Sequence, residues 1–243
     1  MLKDRRPILT TFADRVAVRD YVARVVGPDV LTECYAIASD PDELDRASLP
    51  REFVAKSSHA SGGIWIVADF APETGAVFPG GRPLVDSAHL LESWCWVLVR
   101  PDRLDWEVMI RSFRRWLTMD YSAHEVEWAY AGVQPRILVE ERVQGSDGQQ
   151  PDEYNLFVLH GRVELLYVDK RRYVDHHRNL YLRDWTPLDV RKDVYPRGDV
   201  CPPPRSLARL LYIAEVLGQE TDCVRVDLYD TGCLLYTSDA ADE

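Results

Sequence analysis

The sequence has 243 residues, of which 46% are hydrophobic and 28% charged, and this is the composition of a globular protein with a sizeable core. Its formal net charge of −11 argues against a general binder of nucleic acid or of anionic membranes, because both reward surplus Lys and Arg. No uninterrupted apolar stretch approaches the roughly 20 residues that cross a bilayer. The five cysteines are scattered and show no metal-type pairing. These features predict a cytoplasmic protein without a transmembrane segment.

The first part of the chain predicts one helix and three strands. Asp14 is placed to cap a helix with apolar residues between Val18 and Val26, ended by Gly27-Pro28. The strands are predicted at residues 33–38, 52–56 and 63–68, and residues 39–42 form a turn. Residues 71–101 combine a Gly/Pro-rich loop at 77–83 with an apolar stretch at 93–99. The periodicity of its hydrophobic residues does not decide whether that stretch is a strand or part of a helix.

The second part predicts two helices and several strands. Asp105 opens an amphipathic helix from Trp106 to Leu117, and its aromatic stripe is interpreted as core. Ser206 caps a last helix that Gly218 closes. The strands are predicted at 136–141, 154–159, 162–168 and 224–229, and His160-Gly161 makes the middle two a hairpin. The sequence therefore predicts a mixed α and β protein.

The run CLLYTSDAADE at residues 233–243 is set apart from this pattern. At every position it matches the translation of a transposon-end adapter used in sequencing libraries, and such segments are excluded from fold reasoning. The alternative is a natural polar tail. We expect the genuine sequence to end near Gly232 and the gene product to continue.

The first chemical pattern is a lysine followed by a loop of small residues, at residues 53–63. An ammonium group at Lys56 can neutralise phosphate oxygens, and the backbone N–H groups of Ser61, Gly62 and Gly63 can fold over a triphosphate. The pattern differs from a Walker loop, because the lysine precedes the loop. The alternative is a structural lysine at a strand end beside a hairpin.

Two further strand ends carry charged residues. Backbone groups and a carboxylate at Glu140 and Glu141 can hydrogen-bond an adenine and its ribose, or these can be two solvated glutamates. Alternation places Arg225 and Asp227 on one face of the last strand. A carboxylate there suits Mg²⁺, and an adjacent arginine can stabilise charge during phosphoryl transfer. The alternative is a structural ion pair.

The order of these segments resembles that of a known superfamily. The segments are Asp14-Arg15 with Arg19, Phe53-Val54-Ala55-Lys56, Ser61-Gly62-Gly63, Val139-Glu140-Glu141 and Arg225-Val226-Asp227. In this order they resemble the ATP-grasp superfamily. The likeness narrows with Asp20-Tyr21-Val22, Leu49-Pro50, His59-Ala60-Ser61-Gly62, Glu127-Trp128-Ala129-Tyr130, Pro135-Arg136, His177-Arg178-Asn179-Leu180-Tyr181 and Asp184-Trp185. With these, the chain resembles the teichuronopeptide-biosynthesis (TupA)-like ATP-grasp family of bacterial cell-surface polysaccharide clusters.

The resemblance implies an α+β ATP-grasp fold over residues 1–232, in which two α+β subdomains clasp ATP. It implies ATP and Mg²⁺ as cofactors, with Lys56 on the phosphates, Asp227 on the metal and Arg225 beside the reacting acyl-phosphate. The remaining implied cofactor-binding residues are Arg15, the lid Ser61, Gly62 and Gly63, the adenine hinge Glu140 and Glu141, and Glu153 near the ribose. The implied residues of the acceptor side are Arg172, His177 and Arg178, although His176-His177 can equally form a solvated polar loop.

The chain also departs from the family pattern. Arg15 stands where the family usually has lysine, and Asn155 stands where Asp-Tyr-Lys would place another lysine. Residues 71–101 are predicted to be an insertion. The next strand should carry a glutamate and a short polar partner for the metal, and the adapter-like run lies at that position. We therefore expect a fragment, truncated at both ends, in which Asp227 alone is an incomplete metal site without turnover.

The function implied for the parent protein is an ATP- and Mg²⁺-dependent carboxylate–amine ligase acting through an acyl-phosphate. Its partners would be a small-molecule amino acid and a polysaccharide or glycan acceptor, with no nucleic acid. The alternative is a non-catalytic nucleotide-binding or scaffold protein of a polysaccharide-assembly system. The asparagine at position 155 motivates this alternative.

Overall fold

The chain divides into two compact units. The computed structural model describes residues 4–78, 90, 94–145, 147–173, 175–192, 194–231 and 235–241. The first unit comprises Arg5–Val18 and Thr32–Arg142, and the second comprises Met1–Asp4, Arg19–Leu31 and Val143–Glu243. Within the described residues, no helix has the length and apolar character needed to cross a membrane.

The described helices are short. The α-helices are α1 Pro7–Ala13, α2 Ala17–Val25, α3 Trp106–Trp116, α4 Tyr121–Glu125 and α5 Leu207–Leu217. Single 3₁₀ turns occur at Pro28–Val30, Pro41–Glu43, Arg46–Ser48, Pro101–Arg103 and Trp128–Gly132. The helices predicted near residues 18–26, 106–117 and 207–217 are confirmed as α2, α3 and α5. Helices α1 and α4 were not predicted.

The strands form two sheets, one in each unit. The strands of the first are β1 Cys34–Ala38, β2 Phe53–Ser57, β3 Ile64–Val67, β4 Ala76–Phe78, β5 Trp96–Val99 and β6 Ile137–Glu140. Those of the second are β7 Glu153–Leu159, β8 Arg162–Lys170, β9 His177–Leu182, β10 Pro187–Leu188, β11 Cys223–Asp230 and β12 Leu235–Ala241. The orders are β1-β6-β2-β3-β5-β4 and β10-β9-β8-β7-β11-β12. Among these described pairings only β3 and β5 run parallel.

The first sheet is apolar on the face that packs against α3. Because side chains alternate along a strand, Phe53 and Ala55 of β2 share this face with Ile137 and Val139 of β6. These residues belong to one core cluster with Met109, Ile110, Phe113 and Trp116 of α3. The helix begins as predicted, because the carboxylate of Asp105 accepts the Val108 N–H at 3.1 Å.

The second sheet has its apolar face under α5, which contacts β7, β8 and β11. Gly218, at the end of α5, packs so closely on Val158 and Val224 that a Cβ there would lie 2.6 Å and 3.1 Å from their side chains. Leu156 of β7 and Val226 of β11 share this buried face. The opposite face of each sheet is therefore the one left for polar residues.

Each unit combines helices with one sheet, so the predicted α+β class is confirmed. The His160-Gly161 hairpin is also confirmed, with both residues at positive φ. The apolar stretch 93–99 forms a strand, β5, from Trp96. The predicted loop at 77–83 begins inside β4, and its residues 79–83 lie outside the described part of the chain.

One of the two capping predictions needs correction, and the run that was set apart from the fold includes a strand. The Ser206 hydroxyl donates to the carboxylate of Asp230 and makes no side-chain cap on α5. Asp14 caps α2 as predicted, because its carbonyl accepts the Val18 N–H at 2.9 Å and its carboxylate accepts the Val16 N–H at 2.9 Å. The run at 233–243, which the sequence analysis excluded, contains β12, and β12 pairs antiparallel with β11. Its adapter origin stays a prediction.

Candidate active site

The polar face of the first sheet carries a buried ion pair between two of the predicted site residues. The ammonium of Lys56 on β2 lies 2.7 Å from a carboxylate oxygen of Glu140 on β6. The strand register pairs Lys56 with Leu138 and Val54 with Glu140, so the two charged residues are diagonal neighbours on one face. The Thr32 hydroxyl donates to the other oxygen of Glu140 at 2.5 Å. The sequence had assigned these two residues to different parts of a nucleotide.

The small-residue loop after Lys56 is held by Arg15. The guanidinium of Arg15 donates to the carbonyl oxygens of Ser57 at 2.8 Å, Ser61 at 2.9 Å and Gly62 at 3.2 Å. The Arg15 side chain is buried, as are Ser57 and Gly62, whereas Ser61 is exposed. The structure therefore brings together Arg15, Ser61 and Gly62, which the sequence analysis had named separately.

The opposite side of this loop packs on the tryptophan that precedes β5. A Cβ on Gly62 would lie 2.8 Å from the Cβ of Trp94, so only glycine fits there. Gly63 has a φ of +68°, and a Cβ on it would lie 2.7 Å from the hydroxyl of Ser57. The two glycines thus permit both the close approach and the left-handed backbone. The ring of His59 meets Trp94 edge-on at 5.1 Å, and burial lowers the pKa of this histidine.

Glu141 does not join the buried pair. It follows β6 and is only partly buried, its N–H donates to the carbonyl of Glu33, and its carboxylate accepts the Glu33 N–H at 3.2 Å. Glu140 and Glu141 therefore lie in different surroundings, although they are adjacent in the chain.

The polar face of the second sheet collects charged side chains from four strands in two rows. In the first row, register aligns Tyr229 of β11, Glu153 of β7, Asp169 of β8 and Arg178 of β9. In the second row it aligns Asp227 of β11 with Asn155 of β7 and Tyr167 of β8. The two rows are two residues apart along each strand, so all seven side chains share one face. Of these seven, only Tyr229 is not classed as buried.

Arg225 and Asp227 form a bidentate ion pair on β11. The guanidinium donates to both carboxylate oxygens, at 2.7 Å and 2.9 Å. The predicted shared face is confirmed by the pairing of Arg225 with Phe157 and of Asp227 with Asn155. Both carboxylate oxygens of Asp227 thus have a hydrogen-bond donor although the side chain is buried.

Glu153 is paired with Arg172, which lies in the turn after β8. The guanidinium of Arg172 donates to a carboxylate oxygen of Glu153, and both side chains are largely buried. Burial opposes the charge of Arg172, but Glu153 outweighs it and raises the pKa of the arginine well above its ordinary value. Glu153, predicted near the ribose, and Arg172, predicted on the acceptor side, are therefore paired with each other.

Asp169 is the centre of a third charged group. Arg178 donates to its two oxygens at 2.6 Å and 2.7 Å, and Nε2 of His176 lies 3.0 Å from the first of them. Burial would raise the pKa of Asp169, but these contacts with Arg178 and His176 lower it to about 2. The guanidinium of Arg178 also lies over the rings of Tyr167 and Tyr195, at 4.1 Å and 4.9 Å.

His177 is separated from Arg178, its neighbour in the chain. Consecutive residues of a strand point to opposite faces, so on β9 only Arg178 joins the polar row. The Nδ1 atom of His177 lies 2.8 Å from the carbonyl oxygen of Asp175, and its side chain packs on Gly198. The structure thus brings Arg172 and Arg178 to the polar face and leaves His177 apart.

Asp169 and its contact with His176 were not predicted from the sequence. The second strand of the hairpin was predicted to end at Val168, whereas β8 continues to Lys170. Alternation from Tyr167 would have placed Asp169 on the polar face, so the signal was present in the pattern. The strand β9 was not predicted, and without it Arg178 had no assigned face.

These arrangements can hold phosphates and a metal ion in part. Lys56, with the N–H groups of the loop that Arg15 shapes, provides cationic and hydrogen-bonding groups for an anion. Within the described residues, no three His, Cys, Asp or Glu side chains are gathered as a metal cluster. Asp227 offers a single carboxylate, which suits an Mg²⁺ ion that takes its other ligands from phosphate and water.

The fold and the sequence together define an ATP-grasp protein, of the α+β class. A family described as "TupA-like ATPgrasp" matches residues 96–239, which is more than half of the chain. The chain belongs to this TupA-like ATP-grasp family. No protein of the curated set matches the sequence.

Solved structures with similar backbones include an ATP-grasp protein and two ligases. A RimK-domain ATP-grasp protein from Sphaerobacter thermophilus has 13% identity and a TM-score of 0.47, with 96% of this chain and 60% of that chain covered. The D-alanine–D-alanine ligase of Bacillus anthracis complexed with ATP has 12% identity and a TM-score of 0.44, with 96% of this chain and 55% of that chain covered. The ATP-grasp ligase PsnB, complexed with a precursor variant, Mg and ADP, has 10% identity and a TM-score of 0.43, with 97% of this chain and 51% of that chain covered. The chain thus spans between about half and three fifths of their lengths.

Proposed function

We propose that the protein is an ATP- and Mg²⁺-dependent carboxylate–amine ligase of bacterial cell-surface polysaccharide biosynthesis, working in the cytoplasm. The carboxylate substrate receives the γ-phosphoryl group of ATP, and an amine displaces phosphate from the resulting acyl-phosphate. Membership of the TupA-like ATP-grasp family supports this reaction class. The observation that carries the proposal is the set of buried cations and carboxylates on the polar faces of the two sheets.

In the first unit, we assign nucleotide contacts to Lys56, the loop Ser61, Gly62 and Gly63, and the adenine-side residues Glu140 and Glu141. Lys56 neutralises phosphate charge, and its pairing with Glu140 orients the ammonium in a buried position. The loop presents backbone N–H groups in a fixed shape. Arg15 supports this assignment indirectly, because its guanidinium holds that loop.

In the second unit, we assign the metal and the reacting phosphoryl group to β11. Asp227 would hold Mg²⁺, which when bound screens the phosphate charge that opposes attack by the carboxylate. Arg225 lies beside Asp227 and supplies a guanidinium for the charge that develops on the transferred group. Glu153 is assigned to the ribose. The two hydrogen bonds between Arg225 and Asp227 set the direction of both side chains before any ligand binds.

For the substrates, we assign Arg172 and Arg178 to the acceptor side, with His177 at its edge. Guanidinium groups recognise carboxylates in a bidentate manner, so an amino acid and an acidic glycan are suitable partners. In the structure Arg172 is paired with Glu153 and Arg178 with Asp169, so a substrate carboxylate would compete with these residues. Only another anionic group can replace these carboxylates as the partner of a guanidinium, so the assignment predicts an anionic acceptor.

The test compares nucleotide binding with and without Mg²⁺ by titration calorimetry, in the wild type and in Asp227→Asn. We expect Mg²⁺ to tighten ATP binding about tenfold or more in the wild type, and this gain to disappear in Asp227→Asn. ATP binding without Mg²⁺ should be kept or strengthened, because Arg225 is no longer neutralised by a carboxylate. The matched control is Asp222→Asn, an exposed aspartate just before β11. An unchanged Mg²⁺ gain in Asp227→Asn would contradict the assignment.

A second candidate function is a nucleotide-binding scaffold without catalysis. The observation that favours it is Asn155, which is buried and lies directly opposite Asp227, so no lysine extends from this position of β7 to a phosphate. Both candidates predict ATP binding. Release of ADP and phosphate by the full-length protein that depends on an added amino acid identifies the ligase, and its absence with all amino acids favours the scaffold.

A further inference from the structure

The geometry of Arg15 suggests a role that differs from direct contact with a nucleotide. Its guanidinium reaches three carbonyl oxygens of the loop that follows Lys56, those of Ser57, Ser61 and Gly62, at 2.8–3.2 Å. A planar guanidinium can span several carbonyls at once because its donors form a fixed fork. The side chain is directed at the protein backbone, and it is buried there.

The backbone that carries Arg15 is itself fixed. The N–H of Arg15 donates to the carbonyl of Ser58 at 3.2 Å. The carboxylate of the preceding Asp14 is paired with Arg136 at 2.7 Å. Arg136 also donates its N–H to the hydroxyl of Ser58, at 3.0 Å. Arg15 is therefore mounted on the same short stretch that begins the loop, so it has little freedom to turn toward another ligand.

The far side of the loop is fixed by packing and by β5. The N–H of Gly63 donates to the carbonyl of Cys95 at 3.0 Å, and Gly62 lies against Trp94. The carbonyl and the N–H of a trans peptide point in opposite directions. Binding of the Ser61 carbonyl to Arg15 therefore directs the next N–H, that of Gly62, away from the guanidinium. Arg15 and Trp94 hold the loop from two sides.

We propose that Arg15 is a positioning residue: it sets the shape of the loop at 57–63, so that the backbone N–H of Gly62 is directed at the phosphates, and it makes no contact with the nucleotide itself. The effect of Arg15 on ATP binding rests on the proposed nucleotide-binding function. The hydrogen bonds by which Arg15 holds the loop, here called the clamp, are present in the protein without ligand. Substitution should therefore change the loop first and nucleotide binding as a result.

Arg15→Lys separates the two possible roles. Lysine keeps the positive charge but offers one compact ammonium group in place of the fork, so it cannot span three carbonyls. If Arg15 acts through its charge on a phosphate, Arg15→Lys keeps most of the ATP affinity and leaves the loop unchanged. If Arg15 is the clamp, the loop opens more often although the charge remains.

The measurement is hydrogen–deuterium exchange of the ligand-free protein, followed by ATP titration. In Arg15→Lys we expect the amides of residues 57–63 to exchange about tenfold faster, and ATP to bind about tenfold more weakly. The matched control is Arg51→Lys, an exposed arginine of the same unit, in which neither quantity should change. Unchanged exchange at 57–63 in Arg15→Lys would overturn the proposal. If the wild type bound no ATP, the proposed function would fail while the exchange result still decided the clamp.

A second variant covers the case in which Arg15→Lys melts at a much lower temperature. In Arg15→Ala, added methylguanidinium can occupy the space of the missing group. We expect it to restore protection of residues 57–63 selectively. Faster exchange spread evenly over the unit, with no rescue by methylguanidinium, would show that Arg15 supports the fold in general and would overturn the positioning role.

Discussion

Lys56 and Glu140 form a diagonal ion pair on the polar face of the first sheet, with 2.7 Å between ammonium and carboxylate and side chains only 11% and 8% exposed. Because both charges are largely removed from water, each depends on the other. Removal of one partner from a buried pair leaves an uncompensated charge and is strongly destabilising, whereas replacement of both is far better tolerated.

We therefore predict that Lys56→Met lowers the free energy of unfolding by about 3 kcal/mol, and that Lys56→Met combined with Glu140→Gln loses less than the sum of the two single variants. Urea denaturation of all four proteins gives the coupling energy. Arg51 and Asp69 are a matched control, because their separation is also 2.7 Å but both are exposed. Their cycle should give a much smaller coupling, and equal couplings would contradict the prediction.

Asp169 predicts a specific dependence of stability on pH. Its pKa falls from an ordinary value of 3.8 to about 2 in the folded protein. A lowered folded-state pKa gives stability that is complete above the unfolded value and is lost as the pH falls through the folded value. The contribution is about 2 kcal/mol, lost between about pH 4 and pH 2.

The measurement for Asp169 is urea denaturation across that range in the wild type and in Asp169→Asn. The variant should be less stable at neutral pH, because Arg178 loses its buried partner, and its stability should change less between pH 4 and pH 2. Asp175→Asn, at an exposed residue nearby, should keep the pH dependence of the wild type. If the stability of Asp169→Asn fell between pH 4 and pH 2 as much as that of the wild type, other carboxylates would be the cause of the pH dependence.

Gly63 predicts a site where even alanine is poorly tolerated. Its φ of +68° costs an alanine about 1 kcal/mol, and the added Cβ would also lie 2.7 Å from the Ser57 hydroxyl and 3.0 Å from the Trp94 ring. Gly161, in the β7–β8 turn, has a φ of +78° but nothing within 4 Å of its Cβ position. Thermal unfolding of both alanine variants should show the larger loss for Gly63→Ala, and equal losses would mean that the loop yields easily.

Two cysteines of the first unit are expected to differ in their reactivity toward an alkylating reagent. Cys34 is exposed on β1, whereas Cys95 is buried beside the loop, and burial raises the pKa of its thiol to about 12. At pH 8 only roughly one Cys95 in ten thousand would be a thiolate, which is the reactive form. Iodoacetamide followed by mass spectrometry should label Cys34 and spare Cys95 until guanidinium chloride unfolds the protein. Early labelling of Cys95 in the folded protein would contradict its burial.

The local sequence pattern was sufficient to predict several helices and strands, but not which side chains from different elements contact each other. Asp105 and the apolar spacing after it predicted α3, and His160-Gly161 predicted the β7–β8 hairpin. Neither spacing nor composition could show that Lys56 meets Glu140, because the partner strand lies far along the chain. The same holds for Arg15, whose partners are backbone carbonyls that any residue could provide.

Other features were hidden by ambiguity in the sequence. The segment His177–Leu182 mixes polar and apolar residues without clear alternation, since both faces of β9 are largely buried. A strand assignment there would have separated His177 from Arg178. The parallel strands β3 and β5 are far apart in the sequence, with β4 between them, and a pairing of this kind leaves no local signal.

The alternation along β11 has a consequence for protein engineering. Val224, Val226 and Leu228 lie on the α5 side of the sheet, and Arg225 and Asp227 lie on the other. A one-residue deletion would exchange the two sets and bury charge beneath α5. A two-residue insertion would keep the apolar set in place while carrying the Asp227 carboxylate about 7 Å along the strand. Such an insertion separates the two tasks of this strand, because it can leave a folded protein whose carboxylate no longer faces Asn155.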